Sequence, residues 1–272
     1  MPSMGSKVQN IAVGSPLPRS IRPQTSSGVA SGIVVRTNLT LNGLIQFHRK
    51  PGDGNNGNLL FAPGVQRLDG QGHVEFEGTS YYNQMAQMPG PQNFRGLSLT
   101  IGSGITVHGG SLTIGIIRGV NAPDIPAALV ENFGTILVNE PGDQLRLGTF
   151  AFTNSGTIHL GTNNVVQVPL GDFVQSASGK LQFDLGGKTA GMSHGQFQMP
   201  SSRATLDGVL KVNVLAPFQP AVGDVLNLLT YQAHTGAFSD IIQATPGTLT
   251  AQWNPEYGPT NFALRFGTPP PP

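Results

Sequence analysis

The sequence contains no cysteine, which excludes disulfides, thiolate metal sites and a cysteine nucleophile. It is also poor in charge. Asp, Glu, Lys and Arg make 11% of the 272 residues, where an ordinary globular chain carries about 25%. The 15 basic and 14 acidic side chains nearly cancel. Arg49 and Lys50 are the only adjacent basic pair, so there is no electrostatic footprint for nucleic acid. No run of about 18 apolar residues offers a membrane span. Residues 1–31 lack the apolar core of about 7–15 residues that an export signal needs. A chain free of cysteine is at ease outside a cell, where an unpaired thiol is a hazard.

Glycine (37) and proline (22) are abundant, and both disfavour long helices. The four closing prolines, Pro269 to Pro272, favour an extended spacer. Together with the missing signal, they predict a chain that is part of a longer one.

One unit recurs: Gly, any residue, apolar, any residue, apolar. It begins at Gly43, Gly72, Gly110, Gly134, Gly156, Gly179 and Gly208, at spacings of 22 to 38 residues. Asn132-Phe133-Gly134-Thr135-Ile136 and Asn154-Ser155-Gly156-Thr157-Ile158 are nearly one motif repeated after 22 residues. In a strand, residues two apart share a face. The apolar pair of each unit therefore points inward, and the residue between them points to solvent. That middle residue is Gln46, Glu75, Thr113, His159, Gln182 or Lys211, with Leu137 the exception. Further short β-prone runs lie between the units, at 58–62, 97–101, 144–147 and 165–168. A repeat of two or three short strands buries its apolar face only by stacking on its neighbours, as the rung of a β-solenoid. A sandwich or jelly roll also has short strands and Gly/Pro turns, but it does not require one pentapeptide to return every 22 residues.

These Asn-x-Gly-Thr-Ile units, and the segments 68–74 and 99–107, resemble the parallel β-helix repeats of bacterial surface proteins. Autotransporter passengers and filamentous-haemagglutinin-type adhesins belong to that group. The stretch from Phe173 to Gly187 is similar to their last rungs. Residues 217–230, 236–238 and 253–266 are similar to their terminal cap. The resemblance implies an all-β fold, a right-handed parallel β-helix (β-solenoid) with a β-rich C-terminal cap. The expected organisation is an irregular arm at 1–37, β-helix rungs at 38–212, capping strands at 213–266 and a proline-rich tail at 267–272. It also implies a non-catalytic structural or adhesive module, extracellular or on the cell surface. The expected partners are cell-surface glycans or other surface proteins, with no nucleic acid and no membrane span. Open β-edges add end-to-end self-association.

β-Helices also carry polysaccharide lyases and hydrolases, and that alternative makes specific demands. A glycosidase needs two facing carboxylates. The densest acidic group is Asp69, Glu75 and Glu77, and solubility accounts for it. The adjacent aspartates, Gly-His-Gly and Arg-x-Lys of polygalacturonase-type enzymes are absent. His48, His73, His108, His159, His194 and His234 fall singly and read as exposed strand residues rather than zinc ligands. Residues 51–58 are a glycine-rich loop with one carboxylate, Asp53. Ser26, Ser27 and Ser193 lack partners for nucleophilic catalysis. No catalytic residue, cofactor or metal ligand is therefore assigned, and the chain is read as not an enzyme. Thr135 and Thr157 would stack as a short threonine ladder. Tyr81, Tyr82, Trp253 and Tyr257 are the aromatics available to hold a sugar. Tyr81 and Tyr82 lie in the longest insertion, 78–95, which also carries Met85 and Met88. Loops projecting from a solenoid often bind, so Tyr81 and Tyr82 are the candidate ligand-binding residues. A carbohydrate-binding module without turnover is the remaining alternative.

Overall fold

The computed structural model describes residues 7–11, 32–47, 57–77, 83–88, 96–116, 128–244 and 251–268. Among these residues there are strands and turns but no α-helix. Strand β1 (Lys7–Ile11) precedes a first coil made of β2 (Gly32–Val35) and the two halves of β3 (Leu39–Phe47). The second coil holds β4 (Asn58–Phe61), β5 (Val65–Gly70) and β6 (Gly72–Phe76). The third holds β7 (Asn83–Gln87), β8 (Leu97–Ile101) and β9 (Ile105–Gly109). The fourth holds β10 (Leu112–Ile116), β11 (Ala128–Asn132) and β12 (Thr135–Val138). From there one long strand rounds the first corner of every coil. The pairs are β13 (Gln144–Asn154) with β14 (Thr157–Leu160), and β15 (Val165–Gln175) with β16 (Lys180–Leu185). They continue with β17 (Gln196–Leu206) and β18 (Val209–Val214), then β19 (Val225–Gly236) and β20 (Asp240–Ala244). A hairpin of β21 (Gln252–Tyr257) and β22 (Asn261–Gly267) closes the chain.

Three parallel ladders run along the stack. The first face is β2, β4, β7, β10 and the leading halves of β13, β15, β17 and β19. The second is the leading half of β3, then β5, β8, β11 and the trailing halves of β13, β15, β17 and β19. The third is the trailing half of β3, then β6, β9, β12, β14, β16, β18 and β20. The fold is thus an all-β solenoid of parallel, stacked coils. Seven interstrand steps of about 4.8 Å make a rod about 34 Å long.

The inward row of the third face is in register throughout. It runs Ile45, Val74, Val107, Ile136, Ile158, Leu181, Leu210 and Ile241. All but Ile241 are at most 1% exposed. Ile136 and Ile158 are direct partners. Phe47 and Phe76 stack inside the rod with ring centroids 4.9 Å apart.

Six of the seven glycine units occupy this face, and the unit at Gly110 does not. Leu112 pairs with Asn83 and Leu145 on the first face. The third-face segment of the preceding coil, which no glycine unit marked, is Ile105-Thr106-Val107, in register with Gly72-His73-Val74. The alternation that marks a strand reports which residues point inward, not which wall of the coil the strand forms. The glycine itself is required by close backbone approach. A Cβ on Gly156 would lie 2.1 Å from the carbonyl oxygen of Gly134 one coil below. One on Gly208, whose φ is +65°, would lie 2.4 Å from that of Gly179.

The parallel stacking reaches beyond 38–212 on both sides. β2 pairs with β4 before it. β19 pairs with β17, and β20 with β18, after it. Antiparallel strands then lie on the end edges. β1 runs along β3, and β22 runs along the leading half of β19 and along β21. Such pairing consumes backbone groups that would otherwise template association. Trp253, expected as an exposed aromatic, is 1% exposed and packs edge-on against Phe266. Its backbone is held by the Gln243 side chain, which accepts from the Trp253 amide at 2.8 Å and donates to its carbonyl at 2.9 Å. Tyr257 is also drawn into the cap, its hydroxyl accepting from the Phe238 amide at 3.0 Å. The Tyr231 hydroxyl lies within hydrogen-bond reach of the carbonyls of Asn261 (2.7 Å) and Gly258 (3.1 Å). Burial pushes that phenol up to about 12.

Candidate functional site

The outward side of the third face collects most of the chemistry-bearing side chains. One row is Gln46, Glu75, His108, Leu137, His159, Gln182, Lys211 and Ile242. The row beside it is Leu44, His73, Thr106, Thr135, Thr157, Lys180, Val209 and Asp240. The threonine ladder therefore has three members, Thr106, Thr135 and Thr157, where the glycine units alone indicated two. Its neighbouring row offers His108, Leu137 and His159, so no second threonine rank stands beside it.

Three clusters form along these rows. At the first, the Gln46 amide donates to both Glu75 Oε2 and Glu77 Oε1, each at 3.0 Å. The two carboxylates thus share one neutral donor. Asp69 is turned away from them and pairs with Arg67 at 2.8 Å.

The second cluster sits at the corner after β12. His108 Nε2 is 3.8 Å from Glu140 Oε1 and has no hydrogen-bond partner. Asp143, 2% exposed, accepts from the Glu140 amide at 3.3 Å. Burial pushes its carboxyl up to about 6, and the nearby Glu140 charge adds to this. The Glu140 amide and the His108 charge oppose the rise. Asn164 closes the corner by donating to the carbonyls of Glu140 and Asp143. A carboxyl whose folded value is raised gives stability that is complete below about pH 4 and lost as pH climbs through about 6. Asp143→Asn keeps an acceptor for the Glu140 amide and removes the charge. The variant should match the parent at pH 4 and exceed it by about 2–3 kcal/mol at pH 7.5. Urea melts of both proteins at the two pH values check this; equal curves at pH 7.5 refute it.

The third cluster joins the fifth, sixth and seventh coils. His159 Nε2 lies 2.9 Å from Asp184 Oδ2, and Asn213 donates to Asp184 Oδ1 at 2.8 Å. The Gln182 amide is 3.2 Å from the same imidazole nitrogen. Side chains of His159 and Asp184 are 19% and 18% exposed. Burial acts to raise the Asp184 carboxyl, but the hydrogen bonds from His159 and Asn213, with the charges of His159 and Lys211, outweigh it. The carboxyl is held below its usual range.

The histidines are not uniformly exposed strand residues, as their scatter suggested. His159 is largely covered, and His194 is completely buried. His194 Nδ1 donates to the Gly187 carbonyl at 3.0 Å, inside the turn between β16 and β17. Burial holds its imidazole below the ordinary value, against carbonyl acceptors at Gly187 and Asn227. Lys188 of the same turn pairs with Asp224. Among the described residues, no three His, Cys, Asp or Glu side chains gather as metal ligands. Nor is any helix long and apolar enough to cross a membrane.

Tyr81 and Tyr82 lie outside the described residues, as do His48, Arg49, Lys50, Asp53, Ser26 and Ser27. Their insertion is not one long loop: β7 runs through it and places Met85 in the core at 0% exposure. The His159 cluster was absent from the sequence reading, although a signal existed. Gln182 follows His159 by 23 residues and Asn213 follows Asp184 by 29, both equal to local repeat lengths.

No protein-family model matches the chain, and no curated protein matches it.

Proposed function

We propose that the chain is a non-catalytic structural and adhesive module, displayed outside the cell or on its surface. The kind is that of bacterial autotransporter passengers and filamentous-haemagglutinin-type adhesins. One observation carries this reading: the stacked coils form three parallel ladders, and along the third, in unbroken register, the outward side chains stand in rows. Such a body is stiff because each coil buries its apolar pair only against its neighbours. It presents side chains at fixed spacing, which suits display. Exposed apolar side chains at the corners, Phe150 at 54% and Leu170 at 41% on adjacent coils, add contact surface of the kind found at interaction sites.

A second reading, an enzyme acting on polysaccharide, draws on the shared placement of Glu75 and Glu77. A panel of polysaccharides, with and without calcium, separates the two. The module reading expects retention or no interaction, with every substrate recovered intact. Release of reducing ends or of unsaturated sugar products above the buffer control defeats it.

A further inference from the structure

The His159 cluster has a property that its neighbours lack: one face of the ring is fixed and the other is free. Asp184 Oδ2 holds Nε2 from the next coil, and Asn213, one coil further, holds the other oxygen of that carboxylate. An ionised Asp184 requires a hydrogen on that nitrogen, so the proton resides on Nε2. Gln182 Nε2, 3.2 Å from the same atom, cannot donate to a nitrogen that already carries its hydrogen. Nδ1 is then an acceptor with its lone pair outward. Among the described residues it has no hydrogen-bond partner, and it is not one of the buried, unsatisfied atoms.

The surroundings are complementary to this acceptor. Thr157 and Lys180 are paired in the adjacent row. Leu137 precedes His159 in its own row, and Gln182 and Lys211 follow it. One patch thus offers an acceptor, two ammonium donors, a hydroxyl able to do both and an apolar platform. The charged residues the ladders place around His159 are Asp184, bonded to it, and Lys180 on β16, and Lys211 on β18. On β12 its ladder partner is Leu137. The outward lone pair calls for a donor rather than an anion, and Asp184 offsets one of the two ammonium charges. A ring bearing hydroxyls on one side and C–H groups on the other satisfies every member of the patch.

We propose that the outward surface around His159 is a recognition site for a neutral glycan, with His159 Nδ1 accepting a sugar hydroxyl and Lys180 and Lys211 donating to others. This rests on the adhesive reading and names its ligand class and its site. Asp184 and Asn213 are positioning residues, because they act through the imidazole.

Affinity electrophoresis through gels containing dextran, mannan, xylan or galactan tests the proposal. The parent protein should be retarded by at least one. His159→Phe should weaken that retardation by about tenfold, the loss of one well-placed hydrogen bond. Lys180→Ala, at an outward position that cannot disturb the core, should weaken it several-fold. Imidazole 15N spectra give a readout that a purely structural role would not move. They should show the proton on Nε2 in the parent at neutral pH. In Asp184→Asn, whose amide can donate to Nε2, the proton should move to Nδ1 and retardation should fall with it. The proposal is overturned if none of the four gels retards the parent. It is equally overturned if retardation survives both His159→Phe and Lys180→Ala, or if the parent carries its proton on Nδ1. Those outcomes leave the module reading standing, whereas cleavage of a polysaccharide would remove that reading and leave the site in place.

Discussion

Ile158→Asp should abolish the cooperative thermal transition of the rod or lower its midpoint by more than 10 °C. Ile158 is completely buried, with Ile136 and Leu181 as its ladder partners. No donor stands within that inward row, which is aliphatic from Ile45 to Ile241. A carboxylate there is either charged without a partner or neutral and poorly solvated. Either state costs several kcal/mol, at the upper end of what single substitutions do. In a chain of this size each kcal/mol shifts the midpoint by about 2–4 °C. The position also matters. Coils stabilise one another only through nearest neighbours, so a lesion in the fifth coil separates the rod into halves that lack mutual cover. Thr157→Asp is the control, because Thr157 is the adjacent residue on the opposite side of the same strand. It should stay within about 0.5 kcal/mol of the parent. Equal losses at 157 and 158 would show that the inward and outward sets are wrongly assigned.

Asn154→Leu should cost about 2–4 kcal/mol, although it places an apolar side chain in a buried position. Asn132, Asn154 and Gln175 are all 0% exposed and form a ladder of amides inside the corner between the second and third faces. Asn132 donates to Asn154 Oδ1 at 2.8 Å, and Asn154 donates to Gln175 Oε1 at 2.9 Å and to the Lys180 carbonyl at 3.2 Å. Asn132 also accepts from the Gly134 amide at 3.1 Å, which serves a backbone donor at the tight turn. Removing the middle member strands acceptors on Gln175 and Lys180 and weakens the site of the Asn132 donor. Each orphaned buried group costs about 1–3 kcal/mol. The top of the ladder has no slack, since Gln175 Nε2 is already without a partner. Asn132→Leu should be coupled to Asn154→Leu by at least about 1 kcal/mol, because the two side chains are directly bonded. Urea denaturation of the two single variants and the double variant gives that coupling. Strict additivity would mean that the ladder is not an energetic unit.

The sequence supports the coil before any coordinates are consulted, and the reason is visible in particular residues. Ile136 and Ile158 stand 22 residues apart within nearly identical pentapeptides, and they are ladder partners. The Asn that precedes each of these units by two residues reads locally as a turn former. Its actual role depends on the stack, for only when Asn132 lies below Asn154 does a turn residue become part of a buried amide ladder. The Gly110 unit shows the opposite case. Its five residues match the pattern as well as any copy, yet they build a different wall of the coil.

What the sequence by itself determined is therefore the alternation, the repeat length and the all-β solenoid, because these follow from period-two side-chain geometry and from glycines that admit close backbone contact. Only the tertiary structure decided which wall each strand joins and which polar residues meet. The corners between strands vary in length from coil to coil, so sequence distance does not fix lateral position. His159, Gln182, Asp184 and Asn213 are brought together by ladder register across three coils, and Trp253 is enclosed because a hairpin from the chain's end folds onto the last one.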